Sequence, residues 1–120
     1  MPTIIHTPLS AEYFFKEGCH ILELSNSAAD EAVSIARARV ELGQTTRWHR
    51  LHGTTERYVI LQGTGSVDIG ELPPQRVVAG DVVVIPPLCR QRITNSGDTQ
   101  LIFLAICSPR FKPENYEEIA

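Results

Sequence analysis

The sequence is short of the features that most readily identify a protein. Its 120 residues include three cysteines, Cys19, Cys89 and Cys107, an odd number with no CxxC spacing. That argues against a disulfide framework and for a reducing, cytoplasmic setting. Lysine is scarce, two residues against nine arginines, and the formal net charge is −3. Such a chain lacks the basic field that holds nucleic acid or an anionic membrane surface. No apolar run approaches the ~18 residues needed to span a bilayer. The opening MPTIIHTPLSAEYFFKEG has neither the basic start nor the apolar stretch of a secretory leader. Helical signals are confined to the two ends. Residues 10–16 predict one short turn with Ser10 as N-cap, and residues 113–119 another with proline at its first position.

Strand signals fill the rest. They fall at 19–25 (CHILELS), 33–42, 58–61, 66–69, 75–78, 82–85, 90–94 and 100–107, separated by Gly, Pro-Pro and Asn-Ser-Gly-Asp breaks. Gly63-Thr64-Gly65 predicts a hairpin between the third and fourth of these runs. Short strands at this spacing predict an all-β sandwich or barrel, formed by one domain over 1–120.

Ligand-type residues concentrate in two segments, 43–63 with His49, His52 and Glu56, and 80–95 with Gln91 and Asn95. Together they suggest a metal or small-ligand pocket inside a β-barrel. Alternation puts Glu56, Tyr58, Ile60 and Gln62 on one strand face, and Cys89, Gln91, Ile93 and Asn95 on another. His49 and His52 are three apart and diverge on a regular strand. They converge only if residues 50–53 leave it, which Gly53 permits. Arg37 and Arg39 share a face and read either as an anion clamp or as an exposed strand with surface ion pairs.

The spacing of these residues resembles the two motifs of the cupin superfamily. The first is Gly-x5-His-x-His-x3/4-Glu-x6-Gly and the second Gly-x5-Pro-x-Gly-x2-His-x3-Asn. Gly43 precedes His49 by the required interval, Glu56 precedes Gly63, Gly80 precedes Pro86, and Asn95 closes the second motif. The resemblance spans 33–107. Gln91 replaces the last histidine and Leu88 the central glycine. Counted from Gly43, the second histidine falls on Leu51; counted back from Glu56, His52 is the second histidine and the first falls on Arg50. A third alternative has both histidines serving as an irregular HxxH pair.

The resemblance implies a small cupin jelly roll (double-stranded β-helix) that forms a homodimer. It implies a divalent metal, Fe, Mn, Ni or Zn, held by His49, His52, Glu56 and Gln91, with Ile60, Cys89 and Ile93 lining the pocket and Tyr58 as a possible proton donor. The corresponding function is a dioxygenase, decarboxylase or isomerase acting on a small organic acid or similar metabolite. The alternatives are a metal-free binding or sensor module, and a metal-free epimerase-type enzyme whose base pair is His49 with Glu56.

Overall fold

Short alternating segments become strands because each can bury one face only against a second layer. In the computed structural model, which describes residues 2–120, they form two antiparallel sheets. The first contains, in chain order, β1 (Tyr13–Phe15), β2 (Cys19–Ser25), β3 (Ser34–Val40), β5 (Thr55–Gln62), β8 (Val82–Ile85) and β10 (Leu101–Ser108). The second contains β4 (His49–Leu51), β6 (Thr64–Ile69), β7 (Gln75–Val78), β9 (Gln91–Asn95) and β11 (Tyr116–Glu118). Their spatial orders are β1-β2-β3-β10-β5-β8 and β11-β4-β9-β6-β7. The layers stay separate sheets and enclose one apolar core, with Ile21, Val40, Ile60 and Phe103 from the first and Val67, Val77 and Ile93 from the second. The expected all-β jelly roll is thus present, as two facing layers. Among the described residues no helix is long and apolar enough to cross a membrane.

The expected hairpin at Gly63 does not form. β5 pairs with β10 and β8, whereas β6 pairs with β9 and β7. Gly63 instead carries the chain from one sheet to the other. Its φ is +88°, and a Cβ there would lie 2.8 Å from the Gln100 carbonyl oxygen. Only glycine fits that corner.

The helical signals at the ends are also overridden. Only the 3-10 turns Leu9–Ala11 and Pro113–Asn115 form. The chain then becomes β1, pairing with β2, and β11, pairing with β4. One turn of helix has too few hydrogen bonds to compete with a ready sheet edge. These two marginal strands bring Phe15 and Tyr116 to the site described below.

Candidate functional site

A cavity opens in the first sheet because its inward positions carry small side chains. On β3 and β10, Ser34, Ala36, Ala38 and Ala105 line a space of about 50 Å³, room for a few waters. The β3 sequence SIARARV alternates these small residues with Arg37 and Arg39, which therefore point outward. There Arg37 lies 3.4 Å from Glu12, and Arg39 binds Glu12 at 2.5 Å and Glu41 at 2.7 Å. The arginines are an outer ion-pair cluster, not an anion clamp in the barrel.

The same alternation sorts the histidines. β4 turns His49 and Leu51 inward and Arg50 outward. His52, just past the strand, has a side chain 50% exposed whose Nε2 lies 2.6 Å from Glu117 Oε1. Arg50 donates to the same oxygen at 2.7 Å, and these partners hold Glu117 down at about 2. The register counted from Gly43 therefore describes the site, and Leu51 stands where a second inward histidine would be.

His49 is held from three sides. Its Nδ1 donates to the Arg47 carbonyl at 2.7 Å, which leaves Nε2 as the free lone pair. Its ring stacks on Tyr116 with centroids 5.1 Å apart. Its Nε2 lies 3.1 Å from Oε2 of Glu17, a residue that the sequence reading gave no role. Glu17 sits in the tight turn between β1 and β2. Main-chain oxygens of that turn accept from Arg47, Glu17 O from its N–H at 2.7 Å and Lys16 O from its Nε at 3.1 Å. The turn is thereby docked on the chain leading into β4. The signal in the sequence was Lys16-Glu17-Gly18 between two apolar runs, hidden because residues 10–16 read as helix.

Glu56 occupies an inward position of β5. Its Oε2 receives a weak contact from Cys107 Sγ at 3.9 Å, and its Oε1 has no hydrogen-bond partner. Burial, and secondly the charge of Glu17, push the Glu56 carboxyl up to about 7. Burial also lifts Glu17 to about 7, eased only by the Cys19 thiol, and pushes His49 down. Both directions favour a neutral acid beside a neutral imidazole, with the Glu17 proton directed at Nε2. The Tyr58 hydroxyl donates to Gln91 Oε1, and burial raises its pKa well above the ordinary phenol value. Its proton is committed to positioning Gln91. The Gln91 amide lies near enough to Glu56 to ease its charge, yet its Nε2 completes no hydrogen bond.

Of the four expected metal ligands His49, Glu56 and Gln91 are buried together, His49 opposite Gln91 in register, but the full set is not assembled. His52 is on the outside, Gln91 Oε1 is taken by Tyr58, and His49 Nε2 faces Glu17. Among the described residues no three His, Cys, Asp or Glu side chains are placed to hold a metal ion. One imidazole, with carboxyls that burial keeps near neutral, is a poor match for the imidazole-rich sets of first-row metals.

Of the other pocket candidates, Ile60 and Ile93 point inward but lie in the apolar core, away from the cavity wall. Cys89 precedes β9 and packs near Gly70, outside the cavity. Its parity with Gln91 is broken because Leu88, next to it, has φ +67°. Arg90 and Arg92 point away and lie over the Trp48 ring, 4.0 and 4.3 Å from its centroid.

Comparison with known proteins completes the picture. The cupin domain family matches residues 36–107. An uncharacterized protein of Methanocaldococcus jannaschii is 32% identical over 107 residues, covering 88% of this chain and 85% of that one. The Streptomyces nucleoside dehydratase Pac13 shares the fold with a TM-score of 0.78 at 16% identity, over 98% of this chain and 92% of its own. A Thermotoga maritima protein described as a predicted oxalate decarboxylase gives 0.78 at 23% identity, over 89% and 99%. At these identities the structural matches speak for the fold alone.

Proposed function

We propose, for a chain that belongs to the cupin family, that the cavity is a metal-independent acid–base site moving protons on a small polar metabolite. Isomerisation or elimination is the reaction class. The observation that carries this reading is the orphaned Glu56 Oε1 in the same cavity as the hydrogen-bonded Glu17–His49 pair. A buried polar atom without a partner is a place for a ligand atom. Two carboxyls that titrate at about 7 can each hold or release a proton near neutral pH, where general acid–base catalysis is most effective.

In this mechanism the Glu17–His49 pair reacts in the form with Glu17 ionised, present from about pH 7 upward, and takes a proton from substrate carbon. The proton passes to His49 Nε2 or to the Glu17 carboxylate, and the Arg47 carbonyl stabilises the imidazolium through Nδ1. Glu56, entering protonated, gives its proton to a leaving hydroxyl or back to carbon. Tyr58 fixes Gln91 behind the cavity wall, where its amide lies against Glu56. Pac13, a nucleoside dehydratase, is an enzyme on this fold, so the fold is compatible with an enzymatic reading.

The test is a screen of small hydroxy-carbonyl metabolites for solvent-deuterium incorporation or loss of water, followed by NMR with chelator-treated protein. Turnover should survive chelation and the His52→Ala change. Glu17→Gln and His49→Gln should each lower it about 100-fold or more. Turnover that needs added Fe, Mn, Ni or Zn would overturn the reading. So would near-stoichiometric metal in protein purified without supplement and lost from His49→Ala. Ligands that bind without any exchange would favour the binding-module alternative.

We further propose that the protein is a homodimer. Ile4, Leu9 and Phe14 near the edge strand β1 are 82%, 71% and 65% exposed, apolar area of the kind that protein interfaces cover. Sedimentation at micromolar concentration should give twice the monomer mass, and a monodisperse monomer would remove this element.

A further inference from the structure

The charge of the cavity wall restricts what can enter it. Three carboxyl side chains, Glu17, Glu23 and Glu56, line the space, and no lysine or arginine does. The neighbouring guanidiniums are engaged elsewhere: Arg37 and Arg39 with Glu12, Arg50 with Glu117, and Arg57 with Ser108. His49 is the one cavity group that could carry a positive charge, and its burial disfavours that charge. A carboxylate ligand would therefore find no fixed positive charge to pair with in a poorly hydrated space, whereas an ammonium would favour the ionised form of these carboxyls.

An aromatic pair points the same way. Phe15 and Tyr116 pack edge to face at 5.2 Å and both line the cavity, the Tyr116 hydroxyl buried and without a partner. The chain's own Lys16 ammonium rests over these rings, 4.8 Å from the Tyr116 centroid and 6.0 Å from that of Phe15. This aromatic pair thus already accommodates an ammonium, through the attraction of a cation for a ring face. Inside, Glu56 Oε1 is an acceptor with no donor.

We infer that the cavity takes a small organic cation, a primary ammonium on a compact skeleton, with the ammonium placed between the aromatic pair and the buried carboxyls. This rests on the cavity being the functional site proposed above, and it replaces a small organic acid as the substrate class. Glu56 Oε1 and Glu23 accept from the ammonium. The small volume, about 50 Å³, limits the skeleton to a few carbons unless the aromatic side chains move.

The test is binding, measured by amide NMR shifts at neutral pH and fixed ionic strength, with three compact probes that differ in charge. These are serinol as the cation, glycerol as the neutral analogue and glycerate as the anion. Serinol should bind at least about tenfold more tightly than glycerol, and glycerate more weakly than both. Glu23→Gln should reduce the serinol preference several-fold and leave glycerol unchanged, an effect that loss of packing alone would not produce. Glu56→Gln, deeper in the cavity, supplies the same comparison should Glu23→Gln fail to fold. The inference is overturned if glycerol or glycerate equals serinol, if none of the three shifts amides around the cavity, or if charge removal leaves the preference intact. Deuterium exchange separates the two readings. Cation-selective binding without exchange keeps this inference and sinks the acid–base function; exchange on neutral substrates does the reverse.

Discussion

Replacing Glu56 by glutamine should make the protein more stable at alkaline pH while disabling the site. The Glu56 carboxyl is raised from the ordinary 4.5 to about 7, first by burial and then by the charge of Glu17. At 1.36 kcal/mol for each factor of ten in acidity, ionising it inside the fold costs about 3 kcal/mol. The sign follows from proton counts. Below about 4.5 the carboxyl is protonated in both folded and unfolded chains, and its contribution to stability is complete. Between 4.5 and about 7 the unfolded chain releases a proton that the folded chain retains, so stability falls as pH rises. Above about 7 the loss is complete.

Glutamine has nearly the same shape and never ionises. The difference in stability between Glu56→Gln and wild type should thus be small at about pH 5 and grow to about 2–3 kcal/mol at about pH 8.5, roughly 10 °C in Tm. The assay is thermal unfolding of both proteins across that range. Glu17, also raised to about 7, should behave alike. The double variant should gain less than the sum, because removing either charge relaxes the other carboxyl. Parallel stability curves for wild type and Glu56→Gln would refute the placement of a strained, ionisable carboxyl in the cavity.

Leu51 faces the cavity beside His49, so Leu51→His should bring a second imidazole to the site. Calorimetric titration with Zn(II) or Ni(II) should show a stoichiometric site in this variant that the wild type lacks; equal binding by both would contradict the register of β4. Leu88 holds φ +67° with a half-exposed side chain at the position where the motif has glycine. Leu88→Gly should relieve about 1–2 kcal/mol of left-handed strain, offset in part by about 0.5–1 kcal/mol of added freedom in the unfolded chain. A modest rise in Tm is expected, and a clear fall would show that the Leu88 side chain packs more than its exposure suggests.

The motif spacings were legible as soon as Gly43, Glu56, Gly63, Pro86 and Asn95 were counted, because each fixes a turn or a strand start by local geometry. Strand parity put Glu56 with Tyr58 on one face and Gln91 on another, and the motif resemblance implied that these faces point inward. The directions of His52 and Cys89 were not legible, since parity lapses where a chain leaves its strand, and only the backbone shows where that happens. Glu17 was out of reach for a different reason. Its partner His49 is far along the chain, and a three-residue strand carries too little local preference to announce the turn that holds it.

By itself the sequence determined the class of fold, the strands that carry the site, and the substitution of Gln91 for an expected imidazole. Periodicity and turn residues are local properties and survive in one dimension. Tertiary structure alone decided that His49 pairs with Glu17, that three carboxyls line one cavity, and that no lysine or arginine does. Those facts depend on which distant segments exclude water from one another, and desolvation is what turns ordinary glutamates into groups that titrate near neutrality.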